Sequence, residues 1–320
     1  MRALIIEGGQ PEFRRGVPRP QPLDDEVSIR VLTAGVCATD LALVRGYMNF
    51  SGVPGHEFVG IAQEGRFKGR RVVGEINASC GTCESCLNGM DRHCSTRTVL
   101  GILGRSGAFA EEITLPESNL HPVPDGIPTD VAVFAEPLAA ACQILEQIPD
   151  VRGLDVLVAG DGRLGLLCAL VLHRAGAAVT VAGRHPERTS LLPSAVSLQT
   201  RLLESAPAPR FDLAVEATGS AAALPLIINH VRPRGTVVLK TTSGEATNLD
   251  LAPLVINEIT VVGSRCGRFG PALRALKEGT LPVEKFIAAR FPLEDGVRAL
   301  EVAGQSGVLK VLLDVTDGAA

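Results

Sequence analysis

The sequence predicts an α/β protein in two parts: a β-rich N-terminal region, and a doubly wound parallel sheet followed by a tail that returns to the first part. Three observations carry this. Residues 1–115 break into short β-rich runs separated by Gly, Pro and Asp. From about residue 150, hydrophobic strands alternate with helical segments, the pattern of βαβ units whose parallel sheet is covered on both faces. The stretch "VLVAGDGRLGLLCALVLHRAG" then sets three glycines at GxGxxG spacing between such a strand and such a helix.

In chain order, "RALII", "EVSIRVL", "EFVGIA", "GRRVVGEI" and "AFAEEITL" read as strands of the first part. "TDVAVFAEPLAAACQILEQI" has helical spacing, with Thr129 or Asp130 as N-cap. The alternation follows: "DVLVAG", "GLLCALVLHRAG", "AVTVAG", "FDLAVEATG", "AAALPLIINHV", "GTVVLK" and "ITVVGS", with "SAPAPR" a loop among them. In the tail "PALRALKEG" and "LEDGVRALEVAG" are helical and "GVLKVLLDV" is a strand. With 320 residues the chain exceeds one ordinary core. The expected boundaries are 1–137 with 267–320 returning to it, and 138–266 between them.

Composition narrows the function. A net charge of −4, no Trp and one Tyr argue against a nucleic-acid surface, which needs basic patches and stacking aromatics. "MRALIIEGGQPEF" is no signal peptide, and "LGLLCALVL" is half the length that spans a bilayer, so no membrane partner and a cytoplasmic location are expected. In that compartment clustered cysteines are more often metal ligands than disulfides. Cys80, Cys83, Cys86 and Cys94 fall within fifteen positions, a spacing that suits a closed tetrahedral zinc site with no open coordination position.

Gly160, Gly162 and Gly165, with Arg163 and Leu164 opening the helix, form the expected cofactor site. The first glycine permits a tight turn, the second lets backbone approach a pyrophosphate, and the third allows close helix–strand packing. A dinucleotide fold that takes NAD places an acidic residue at the end of the next strand, about twenty residues on. Here that place is Gly183 or Arg184, followed by His185 and Arg188. These residues could pair with a 2′-phosphate, so NADP is favoured over NAD.

Cys37 and His56 lie in glycine-flanked turns, Glu57 beside the histidine and Glu136 just before a proline. Each alone has an ordinary structural explanation. Together, "CATD", "GHEFVG", "CGTCESCLNGMDRHC", "FAEPLA" and GxGxxG resemble, in order, the zinc-dependent medium-chain dehydrogenases/reductases, the alcohol and polyol dehydrogenase family. The likeness covers nearly the whole chain, including "EATGS" with Thr218, and the terminal "GVLKVLLD".

That resemblance implies a GroES-like catalytic domain and a Rossmann domain, with the active site in the cleft between them. It implies two zinc ions per chain, one structural and one catalytic. Cys37 and His56 would be catalytic-zinc ligands. Glu136 stands where the polyol, threonine and glucose dehydrogenase branch has its glutamate, and Glu57 would be a direct or water-exchanging ligand. Asp40 would accept a hydrogen bond from His56 and fix its tautomer. Thr39 would begin a proton relay, and Thr218 would join the cofactor site. The implied reaction interconverts an alcohol or polyol with its ketone or aldehyde by hydride transfer to or from a nicotinamide cofactor. The implied assembly is a homodimer or homotetramer.

Two departures stand out: Ala42 replaces the family's relay histidine, and "IAQEGRFK" is shorter than the usual loop. A narrower activity (sugar-1-, amino-alcohol or pigment-pathway dehydrogenase) is the alternative within enzymes. A nucleotide-binding regulatory protein without turnover is the alternative outside them. Cys142, Cys168 and Cys266 read as core thiols, His93 as surface, and His121, His173 and His230 as structural. Tyr47, Met48 and Phe50 could line a substrate pocket or belong to the core.

Overall fold

The structure is a computed structural model that describes residues 1–205, 210–242 and 248–316. The interior of the loop expected over 205–210 lies outside these residues. The fold divides into two compact units, Met1–Glu136 with Phe269–Ala320, and Pro137–Arg268.

The first unit opens with the antiparallel hairpin β1 (Ala3–Glu7) and β2 (Gln10–Arg14). β3 (Glu26–Gly35), helix α1 (Ala38–Val44), β4 (Glu57–Ala62), β5 (Arg71–Gly74) and β6 (Asn77–Ala78) follow. One helical turn, α2 (Glu84–Leu87), precedes β7 (Thr98–Leu100), β8 (Gly104–Arg105), β9 (Glu112–Pro116) and β10 (Leu120–Pro122). Helices α3 (Thr129–Ala132) and α4 (Ala135–Gln147) lead into the second unit. That unit holds β11 (Asp155–Ala159), α5 (Arg163–Arg174), β12 (Ala178–Ala182), β13 (Ser197–Gln199) and β14 (Phe211–Glu216). It ends with α6 (Ala223–Ile228), β15 (Val231–Leu239), α7 (Ala252–Ile256) and β16 (Thr260–Gly263). The chain returns to the first unit as α8 (Phe269–Lys277), β17 (Ile287–Pro292), α9 (Gly296–Ala303) and β18 (Lys310–Asp314).

β3 is the spine of the first unit. Its sequence EVSIRVLTAG buries Val27, Ile29, Val31 and Ala34, and it pairs antiparallel with β4, β9 and β18. The sheet order is β10-β5-β4-β3-β18-β17, with β9 also on β3. This pairing brings the turn after β3, the start of β4 and the last strand of the chain side by side.

The second unit is a six-stranded sheet in the order β13-β12-β11-β14-β15-β16, all parallel. Its inner strands are apolar without alternation: Val156, Leu157, Val158 and Ala159 are all fully buried. Such a run is what a strand covered on both faces requires. Strand order reverses between β11 and β14, and a doubly wound sheet binds ligands outside the carboxyl ends of its strands at that point.

The helix expected over 129–147 is two. α3 starts at Thr129 after Pro128, which takes the N-cap place expected for Thr129 or Asp130. α4 restarts at Ala135 because Pro137 has no N–H to bond the turn before it and is tolerated only in a first turn. β17 was not legible, since "IAARFP" is half exposed and ends in proline.

Candidate metal and cofactor sites

The first site grows from the end of β3. Cys37 is the N-cap of α1, with extended φ −105° and ψ 162°. Asp40, three residues on and fully buried, turns its Oδ2 back to accept the Cys37 N–H at 2.7 Å. Its Oδ1 accepts the Gly55 N–H at 3.2 Å. One carboxylate therefore ties together the turns that carry Cys37 and His56. Gly55 holds φ +96°, and the Phe109 ring fills the space that any Cβ there would need.

The donor atoms of Cys37, His56 and Glu57 all lie within 4.8 Å of one another. His56 is 3% exposed, and its Nδ1 stands 3.5 Å from Asp40 Oδ1 without forming a hydrogen bond. Asp40 anchors backbone at Cys37 and Gly55 and acts on the imidazole through charge. Burial disfavours the imidazolium, but Asp40 and Cys37 outweigh it and hold the His56 pKa well above the ordinary imidazole value. Thr39 Oγ1 lies 3.9 Å from Cys37 Sγ. Glu136, half-buried in the first turn of α4, is not part of the 4.8 Å group.

Glu57 faces Gly35 across β3 and β4, where a Cβ would come within 2.5 Å of Glu57 Oε2. That oxygen is bonded to Lys310 Nζ, both side chains being 1% exposed. Lys310 also donates to Val36 O at 3.3 Å and lies 5.6 Å from the Phe134 ring centroid. The group expected to reach a metal thus has one oxygen held by a buried cation. A thiol, an imidazole with an orphaned buried nitrogen and a carboxylate form a donor set that fits zinc.

A cavity of about 390 Å³ is lined by Met48, Phe50 and Leu103 among others, but by neither Tyr47 nor any of the three clustered donors. Met48 and Asn49 both hold left-handed φ, 60° and 49°.

The four clustered cysteines converge as expected, with all four Sγ within 4.8 Å and none in a disulfide. The Cys83–Cys86 and Cys94–Cys80 sulfurs are 3.5 Å apart and the Cys80–Cys86 sulfurs 4.0 Å apart. A tetrahedron with Zn–S bonds of about 2.3 Å has edges of roughly 3.8 Å, so the set fits zinc. Hydrogen bonds from Thr82 and the Cys83 N–H lower the Cys80 thiol to about 5. Burial and Cys83 push the Cys86 thiol up to about 11.

In the second unit Gly160 holds φ +108° with the Ala217 carbonyl where its Cβ would be, and the Gly160 carbonyl fills the same place at Gly165. No side chain could stand at either position. Gly162 is the N-cap of α5 and faces open space, leaving the first-turn N–H groups of Arg163 and Leu164 directed toward it. This backbone cradle fits a pyrophosphate. The Thr218 hydroxyl is bonded to Glu216 Oε1 at 2.6 Å, beside the same turn.

At the end of β12 the structure departs from the expected basic cluster. Arg188 is 6% exposed, and its Nη1 bonds the Asp161 carbonyl at 2.5 Å. His185 Nδ1 lies 3.0 Å from Asp161 Oδ2. Only Arg184 extends an exposed side chain, so a 2′-phosphate site of all three residues is not what the fold presents. Two functional candidates escaped sequence reasoning. Lys310 was visible as a lone cation inside the apolar strand "VLKVLL", and Asp161 as the acid inside the glycine motif itself.

Comparison with known proteins points to one family. Residues 23–125 match the alcohol dehydrogenase GroES-like domain, and residues 164–278 match the zinc-binding dehydrogenase family. An L-threonine 3-dehydrogenase of Streptomyces coelicolor is 32% identical over 99% of this chain and 100% of its own length. A zinc-binding dehydrogenase of Sinorhizobium meliloti, solved with NADP, superposes with TM-score 0.86 at 25% identity, over 98% of this chain and 99% of that one. An alcohol dehydrogenase of Escherichia coli, solved with NADH, gives 0.88 at 25% identity over the same shares.

Proposed function

The chain belongs to the zinc-binding, GroES-like alcohol dehydrogenase family, and from that premise we propose that Cys37 and His56 hold its catalytic zinc, with Glu57 or Glu136 as the carboxylate ligand. It is an oxidoreductase that interconverts an alcohol or polyol with its ketone or aldehyde, using a nicotinamide cofactor. When bound, the zinc supplies Lewis acidity toward the substrate oxygen and the nicotinamide supplies or accepts hydride. The observation that carries the assignment is the convergence of Cys37, His56 and Glu57 within 4.8 Å.

The chain's own residues do the positioning. Asp40 holds the two ligand-bearing turns in place. Thr39, next to Cys37 Sγ, takes the substrate hydroxyl's proton and passes it outward; with Ala42 in place of a relay histidine, the next acceptor is water, a ribose hydroxyl or another group. Lys310 restrains Glu57. In the second unit the Gly160–Gly165 turn and the α5 N-terminus bind the pyrophosphate, and Thr218 closes the cofactor site. Exposed Arg184 favours NADP over NAD through the 2′-phosphate. Cys80, Cys83, Cys86 and Cys94 hold a second, structural zinc.

The domain roles follow: residues 1–136 with 269–320 are catalytic and 137–268 bind cofactor. A homodimer or homotetramer is favoured by β16, an edge strand with Val261 42% exposed, beside Val255 and Ile256, which are 75% and 78% exposed. Among the described residues no helix is long and apolar enough to cross a membrane. The cytoplasm is the proposed location on the family likeness.

The test is metal analysis joined to a substrate screen. Two zinc ions per chain and turnover of alcohols, polyols or L-threonine with NADP are expected. Cys37→Ser leaves one zinc, abolishes turnover and keeps cofactor affinity. Retained turnover in that variant overturns the catalytic-zinc assignment.

A further inference from the structure

We infer that Asp161 is a specificity-determining residue for the cofactor: its carboxylate fills the anion cradle at the end of β12 and restrains recognition of a 2′-phosphate. This rests on the reading of the Gly160–Gly165 turn as the dinucleotide site. Asp161 Oδ2 accepts the backbone N–H groups of Arg184 at 2.9 Å and His185 at 2.7 Å. His185 Nδ1 and Arg188 Nη1 approach the same carboxylate at 3.0 and 3.4 Å. Two adjacent N–H groups, an imidazole and a guanidinium pointing at one spot make a phosphate-binding arrangement. Here a side chain of the protein itself occupies it, 6% exposed.

The placement is built into the sequence. A Cβ on Gly183 would meet Asp161 Cγ and Oδ2 at 2.5 Å, so Asp161 in this position requires the absence of a side chain at 183. The carboxylate that a dinucleotide fold usually projects from the end of this strand arrives instead from the glycine turn. Buried Arg188 neutralises it, and Arg184 is left as the one exposed cation of the turn. The 2′-phosphate therefore finds one cation and a nearby anion rather than three cations.

Calorimetric titration of the full-length protein with adenosine 2′,5′-bisphosphate and with 5′-AMP reads this end of the site without zinc or turnover. Asp161→Asn keeps an acceptor for the N–H groups but removes the charge. It is expected to raise the affinity ratio of the bisphosphate over 5′-AMP by about tenfold, the order for one partly screened charge at short range. Arg188→Gln leaves the carboxylate unneutralised and is expected to lower the ratio about threefold. An Asp161→Asn ratio within twofold of wild type or below it, or a parallel loss of both affinities, overturns the inference. Should Asp161→Asn not fold, Arg188→Gln decides, an unchanged or higher ratio counting against it. The wild-type ratio and its loss in Arg184→Gln test the NADP reading separately. A wild type without preference, joined to a rise in Asp161→Asn, refutes that reading and leaves this one standing. If neither fragment binds any form, both fall.

Discussion

Lys310 and Glu57 form an ion pair in which each side chain is 1% exposed, joining β18 to the first residue of β4, next to the candidate zinc ligand His56. Neither charge has water to retreat to. Val36 O and the Phe134 ring are the other partners of the ammonium.

Removing one partner leaves the other charge buried and uncompensated, which costs about 3–5 kcal/mol. Lys310→Met and Glu57→Gln should each lower the free energy of urea unfolding by that order. The double variant should recover part of the loss, giving a coupling energy well beyond that of an exposed pair. Additive losses would show that the pair is not a unit.

Asp40 acts through backbone, so its substitutions should grade by acceptor strength. Asp40→Asn retains an oxygen for the Cys37 and Gly55 N–H groups, whereas Asp40→Ala leaves both unmet. Catalytic-zinc affinity, measured by competition with a chromogenic chelator, should fall about tenfold in the first and toward a hundredfold in the second. Equal losses would point to charge on His56 as the dominant contribution.

The cysteine lobe should behave as a structural element. Cys94→Ser removes a buried candidate ligand and should release one zinc, lower Tm by several degrees and leave KM for the alcohol unchanged at 25 °C. A changed KM with unchanged Tm would place the lobe in substrate binding instead.

Acid should loosen the first unit. Burial alone would raise the Glu26 pKa, but Arg105 at 2.5 Å holds it below the ordinary carboxylate range; Arg2 does the same for Glu111 against its burial. A lowered folded-state pKa gives stability that is fully present above the unfolded value, about 4.3 for Glu, and lost as pH falls through the folded value. Urea unfolding followed from pH 7 to 3 should therefore show a loss confined to the acid limb. Arg105→Met should reduce stability at pH 7 and weaken that limb, because the cation that outweighs burial at Glu26 is gone.

Most strands of both units were legible because burial on one or both faces forces a period that local sequence must obey. The missed strands were short or edge elements such as "QPEFR" and "IAARFP", whose pairing comes from neighbours rather than from their own residues. The divided helix at 129–147 shows the opposite failure, a continuous apolar period interrupted by one missing N–H at Pro137.

The sequence by itself determined the fold class, the convergence of four cysteines at fixed short spacing, and the glycine turn, because each depends on residues close in the chain. Tertiary structure decided the rest. Cys37 meets His56 because β3 and β4 pair with Gly35 opposite Glu57, and Glu57 meets Lys310 across 253 positions because β18 returns beside β3. Asp161 took command of the turn after β12 only because two parallel strands set their carboxyl ends side by side. Charge acts through space, so the partners of a buried ion are fixed by packing and not by sequence distance.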